Sequence, residues 1–131
     1  MIKNKLLIGI LLIPLLVNSQ TPEGVLAELK KQNVKHPEIV LAQSIEETGW
    51  YKCKNCSMSK NNIFGLWNHK KQEYYQYDTW QLSIGGYKRG IQHKYDTSKY
   101  KDYYEFLEKI GYAGNPNYIS NIKKLVERLN K

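Results

Sequence analysis

The chain has 131 residues, with 20 Lys and Arg against 12 Asp and Glu and a formal net charge of +8. That length suits one domain. The sequence has no internal repeat, low-complexity tract or linker rich in Pro, Gly or Ser, which argues against a modular array. A basic surface suits an anionic partner: nucleic acid for a cytosolic protein, cell wall polymer or a membrane surface for an exported one.

The first residues carry a pattern of their own. Lys3 and Lys5 precede an apolar run from Leu6 to Val17, and small Ser19 follows. Basic, then apolar, then small and polar is the layout of a secretory leader. The run is shorter than the ~20 residues that a spanning helix needs, and Pro14 interrupts it. Residues 1–19 are therefore expected to be a signal peptide, and residues 20–131 the mature domain, secreted or periplasmic. Loss of the two leader lysines takes the charge from +8 to +6.

The elements follow in chain order. A first helix is expected through Pro22–Asn33, with Thr21 as N-cap and Pro22 at its first position. A second begins near Pro37 and runs to Thr48. Ile39, Val40, Leu41, Ala42 and Ile45 cover most of its circumference, so it should be central and buried. Gly49 is its C-cap. Cys53 and Cys56 come next, in a polar connection. In an oxidising compartment a disulfide is the favoured reading of this C-x-x-C pair. A redox-active pair or half of a zinc site are the alternatives, but His36, His69 and His93 lack ligand spacing.

Residues 63–80 are rich in aromatics, with a turn at Asn68–Lys71, and read as a short β-hairpin. Leu82, Ile84, Tyr87 and Ile91 recur at roughly helical spacing. Three glycines (Gly85, Gly86, Gly90) weaken that helix but allow close helix contact. A helix over Ser98–Gly111 follows, closed by Gly111. The last is expected with Asn115 as N-cap, Pro116 in its first turn, and a stripe of Ile119, Ile122, Leu125, Val126 and Leu129. The sum is a mostly helical α+β protein with one small β element.

Two features carry chemistry. Glu46 and Glu47 lie in the last turn of the central helix, where burial and the helix dipole both raise a carboxyl pKa. Such a group keeps its proton near neutral pH and acts as a general acid. The alternative is an exposed pair in a fraying turn, and helical periodicity prefers neither acid. The second feature is the 3 Trp and 11 Tyr. Trp50, Trp67, Trp80 and Tyr112 are candidates for stacking on sugar rings, against core packing for at least two of them. Ser-His-Asp and Cys-His arrangements, a phosphate-binding glycine loop and an H-E-x-x-H helix are all missing from the sequence.

Together, "HPEIVLAQSIEETGW", "NNIFGLWN" and "GYAGNPNYISNIKKLV" resemble three ordered motifs of the N-acetylglucosaminidase family of peptidoglycan hydrolases, glycoside hydrolase family 73. The resemblance covers about residues 36–131. It implies a lysozyme-like fold with a short β-hairpin lobe, and cleavage of glycan strands at N-acetylglucosamine. It assigns Glu47, not Glu46, as the acid. It implies Tyr112 as an orienting tyrosine, with Tyr118 as the alternative. Glu73, followed by Tyr74, is the better match to a second acid and Asp78 the weaker. Trp50, Asn62, Phe64, Trp67 and Tyr118 are the implied substrate-binding residues. Neither a cofactor nor a metal is implied.

The expected partner is peptidoglycan, with neither nucleic acid nor stable membrane insertion, and a monomer is the default. Two other readings compete. One is a lytic transglycosylase, which leaves anhydro ends. The other is a non-catalytic glycan-binding or scaffold protein that keeps the fold, motivated by the short β region.

Overall fold

The computed structural model describes residues 20–131. The expected leader, residues 1–19, lies outside the described residues. Among them the elements run α1 (Pro22–Lys31), α2 (Pro37–Thr48), a 3₁₀ turn (Ser57–Lys60), β1 (Trp67–Asn68), β2 (Glu73–Tyr74), α3 (Trp80–Gly90), a second 3₁₀ turn (Gln92–Lys94), α4 (Tyr103–Lys109) and α5 (Tyr118–Leu129). The two strands pair antiparallel, Trp67 opposite Tyr74 and Asn68 opposite Glu73. The architecture is α+β and mostly helical, with the small hairpin expected.

Local chemistry sets the helix ends. The Thr21 hydroxyl accepts from Gly24 N at 3.1 Å, and Pro22 opens α1. α2 stops at Gly49, whose φ of +57° is the left-handed geometry of a C-cap glycine. Trp50 N then donates back to the Ile45 carbonyl at 3.1 Å. In the hairpin, Asn68 Oδ1 accepts from the amides of Lys70 and Lys71, which forms the expected turn.

α2 is the axle of the domain. Val40, Leu41, Ala42, Gln43, Ser44, Ile45 and Thr48 are all buried. The helix packs against α1 on one side and α5 on another. Val25 and Leu29 of α1, Ile63 and Phe64 of the following loop, Ile84 and Tyr87 of α3, and Tyr103 and Phe106 of α4 complete one continuous core.

Three expectations about later elements need correction. Leu82 does not join the α3 stripe; it is 53% exposed, and Trp80, Ser83, Ile84, Gly86 and Tyr87 are buried instead. α4 starts at Tyr103, not near Ser98, because Asp102 Oδ1 accepts from Glu105 N at 2.9 Å and caps the helix there. α5 starts at Tyr118, not at Pro116. Asn115 Oδ1 accepts from Asn117 N and the Asn115 carbonyl accepts from Tyr118 N, so Asn115–Asn117 form a separate turn.

The core is crossed by a chain of polar side chains. Gln92 Nε2 donates to Tyr103 OH at 3.1 Å, Tyr103 and Tyr87 hydroxyls lie 2.8 Å apart, and Tyr87 OH donates to Gln43 Oε1. Gln43 Nε2 continues to Tyr118 OH at 3.2 Å. One direction of donation satisfies all of these contacts, and Gln92 also brackets the backbone of Lys35 through its N–H and its carbonyl. A satisfied buried network of this kind fixes how helices sit together. Tyr87→Phe should leave Gln43 Oε1 without its donor and lower stability by about 1–3 kcal/mol. The check is a lower urea midpoint at unchanged slope.

Candidate active site

A cleft of about 770 Å³ opens beside the end of α2. Glu47 lines it, with Phe64 and Gly65 from the following loop, Trp67 from β1, Arg89 from α3 and Tyr112 from the α4–α5 connection.

The structure separates the two acids. Glu46 is exposed, and its Oε1 accepts from Asn121 of α5 at 3.4 Å. Glu47 is half-buried and faces the cleft. Burial pushes its carboxyl pKa above the usual carboxylate range, and the neighbouring negative charge of Glu46 adds to the shift. The two acids at one helix end therefore have different surroundings, and the charge of Glu46 adds to the upward shift of its neighbour.

The loop beneath Glu47 explains the Asn-Asn-x-Phe-Gly segment. Asn62 is fully buried, and its amide donates to the carbonyls of Leu66 at 2.9 Å and Tyr75 at 3.0 Å. Its Oδ1 accepts from Leu66 N at 3.0 Å and Phe64 N at 3.4 Å. One side chain thus clamps the loop onto the hairpin. Phe64 turns inward and packs on Tyr87, with ring centroids 4.7 Å apart. Gly65 has a φ of +63°, and a Cβ there would stand 2.0 Å from Glu47 Oε1. The glycine is the floor on which the acid rests.

The Glu47-Thr48-Gly49-Trp50 stretch holds the acid from behind. The Thr48 hydroxyl donates to the Ser44 carbonyl at 2.7 Å and accepts from Tyr51 N at 3.0 Å. Gly49, Trp50 and Tyr51 all have φ near +60°. For the two non-glycine residues that geometry costs on the order of 1 kcal/mol each. Offsetting contacts are present: Arg128 of α5 sits over the Trp50 ring at 4.7 Å, and Tyr51 OH bonds Ser44. Cys53 and Cys56 form the expected disulfide, with Cα atoms 6.0 Å apart, just beyond this turn.

Tyr112 completes the site. Its hydroxyl donates to the Phe64 carbonyl at 3.0 Å, and its ring stacks on Tyr118 at 5.6 Å. Burial raises its pKa well above the ordinary tyrosine value, and the charges of Tyr118 and Glu47 add to that. The hydroxyl therefore stays neutral. With its proton given to Phe64, its oxygen keeps acceptor capacity.

The family model for mannosyl-glycoprotein endo-beta-N-acetylglucosaminidase, the glucosaminidase domain, matches residues 23–131. The chain belongs to this family. No curated protein and no solved structure matches it significantly.

Measured against the expected site, the cleft gathers Glu47, Tyr112, Phe64 and Trp67. Four expected residues are not on its walls. Asn62 spends its whole side chain on the loop clamp. Trp50 lies against Arg128. Tyr118 is 6% exposed, in the core behind Tyr112. Glu73 is at the hairpin, its side chain exposed and paired with Lys60 at 3.8 Å. Asp78 is exposed and also outside the lining, and Trp80 is core. Glu47 is the only carboxylate that lines the cleft among the described residues. Those residues hold no cluster of His, Cys, Asp or Glu fit for a metal ion.

Sequence reasoning missed Tyr75, Tyr77, Arg89 and Lys94, which line the cleft. The available signal was the tandem Gly85-Gly86. Those glycines do not bring two helices together. A Cβ on Gly86 would stand 2.1 Å from the Tyr77 hydroxyl, so the gap seats a tyrosine. For the acid, the decisive glycine is Gly65. Gly65→Ala should displace the Glu47 carboxyl and force alanine into a left-handed φ. The expected result is activity at least about 100-fold lower with a stability loss of roughly 1–2 kcal/mol, read from wall-lysis rates and urea midpoints.

Proposed function

We propose that this protein is an exported hydrolase that cuts peptidoglycan glycan strands at N-acetylglucosamine, with Glu47 as general acid. One observation carries this reading: a half-buried acid, raised in pKa, lies on a glycine floor in an open cleft beside a neutral tyrosine. Trp67, at 40% exposure, offers a ring face at the same cleft for a pyranose. The leader-like residues 1–19 support export. No helix among the described residues is long and apolar enough to cross a membrane.

The mechanism follows from the lone carboxylate. Glu47 gives its proton to the glycosidic oxygen, and the bond from C1 to that oxygen breaks. The oxygen of the sugar's own acetamido group attacks C1 and forms a cyclic oxazolinium ion. Tyr112, fixed by Phe64, accepts the acetamido N–H and aims that group. Water then opens the ring at C1 and gives a proton to the Glu47 carboxylate, which restores the acid. The product keeps its configuration at C1 and ends in a reducing sugar. Glu73, held by Lys60, has no step in this scheme.

The test is lysis of purified peptidoglycan with product ends identified by mass spectrometry. Glu47→Gln should lose at least about 100-fold in rate. The variant should still fold. The native state holds this proton more tightly than the unfolded chain, so stability falls as pH rises above the ordinary Glu value. Glutamine removes that penalty, so the variant should equal or exceed wild-type stability at pH 7. Equal lysis by Glu47→Gln sinks the assignment of the acid. Binding without lysis by wild type favours the scaffold reading, and anhydro ends favour transglycosylation.

Two further outcomes probe the electrostatics. Glu46→Gln removes a charge that raises the Glu47 pKa, so the alkaline limb of the pH–rate profile should move to lower pH. Glu73→Gln should retain lysis within about threefold of wild type, since loss of an exposed ion pair changes little. A loss of several hundredfold would restore Glu73 as a second acid.

A further inference from the structure

α3 carries Gly85 and Gly86 in its interior, where glycine weakens a helix. Both gaps are filled by side chains of the cleft. Tyr77 covers Gly86, and a Cβ on Gly85 would stand 2.9 Å from Arg89 Nη1 and 3.8 Å from its Cζ. The Arg89 guanidinium thus lies back over the preceding turn of α3. A cation in the last turn ordinarily serves the helix's terminal carbonyls instead. Lys88 differs, since its Nζ donates to the Gln32 carbonyl of the α1 end at 2.6 Å.

Arg89 is exposed and has no carboxylate within ion-pair distance among the described residues. Its marked electrostatic neighbour is the Tyr77 hydroxyl. Burial raises the Tyr77 pKa, and the positive charge of Arg89 pulls against that rise. Lys94 and His69 line the same cleft. Gly90, one residue past Arg89, has open space where a Cβ would be. The cleft wall at α3 therefore carries a guanidinium laid over Gly85, beside Tyr77, whose hydroxyl is seated against Gly86.

We propose that Arg89, with Tyr77 beside it, binds a carboxylate of the glycan strand, so that the cleft selects an anionic wall polymer over a neutral N-acetylglucosamine polymer. The guanidinium fork matches a carboxylate in two parallel hydrogen bonds, and the Tyr77 hydroxyl adds a third donor. The carboxylate has two sources in peptidoglycan: the lactyl group of a peptide-free muramic residue, and the free acids of the stem peptide. This inference rests on the glycan-cleaving reading above.

The experiment compares wild type with Arg89→Gln on three substrates: native sacculi, sacculi with carboxyls converted to amides, and strands stripped of peptide. Arg89→Gln should raise KM roughly tenfold on native sacculi, with a much smaller change in kcat. On the amidated wall the two proteins should match. A KM deficit kept on stripped strands assigns the lactyl carboxylate; a deficit lost there assigns the stem peptide. Equal KM on native sacculi, or the same deficit on amidated sacculi, overturns the proposal. Pelleting with sacculi, in a Glu47→Gln background with and without Arg89→Gln, is the second measurement. If wild type cleaves none of the substrates, the activity reading fails and pelleting alone decides the anion site. Weaker pelleting of the double variant on native but not amidated wall supports it, and equal pelleting overturns it.

Discussion

The structure depends on one contact, the Glu47 carboxyl resting on the backbone of Gly65. Any Cβ there would enter the carboxyl group, so another residue would have to displace Glu47 as well as adopt a left-handed φ. The contact gathers the rest of the site around it. Gly65 must be held still, so Asn62 clamps its loop through four hydrogen bonds to backbone groups. Tyr112 is tied to the same loop through Phe64. The carboxyl of Glu47, its glycine floor and Tyr112 are therefore joined through one loop. Phe64 itself packs on Tyr87, which anchors that loop to the buried polar chain of the core.

The two ends of Glu47's surroundings are stabilised in different ways. In front, the loop is fixed by hydrogen bonds to a buried amide. Behind, three successive residues take left-handed backbone, two of them aromatic. Their strain is offset by Thr48, by the Arg128–Trp50 stack and by the Tyr51–Ser44 bond. The Cys53–Cys56 disulfide closes the segment that follows. The tryptophan of the motif is thus a structural brace, and the tryptophan of the hairpin, Trp67, is the one that reaches the cleft.

Much of the fold was legible because it rests on local signals. Thr21-Pro22 and Gly49 each act within one helical turn, and the all-round apolar surface of α2 could only mean burial. The motif pattern also pointed to Glu47. What was not legible depends on contacts between distant segments. Whether Asn62 faces substrate or backbone is decided by Tyr75, and whether Tyr118 faces the cleft is decided by Gln43. Glu73 looked eligible as an acid in sequence, but its side chain is exposed at the hairpin, beside Lys60 and outside the cleft lining. The starts of α4 and α5 were missed for a smaller reason: Asp102 and Asn115 both make side chain–backbone bonds that compete with helix, and only one of them caps a helix directly.

The charge layout of the cleft has a logic of its own. A general acid needs to stay protonated, and a cation beside it would favour the ionised form. The causes that move Glu47 are burial and Glu46, both of which raise it. Arg89 acts instead on Tyr77, along the α3 wall. The marked electrostatic neighbour of Arg89 is thus Tyr77, and that of Glu47 is Glu46. A positive charge moved to the Gly65 side of the cleft would act in the opposite direction to burial and Glu46, and would lower the Glu47 pKa.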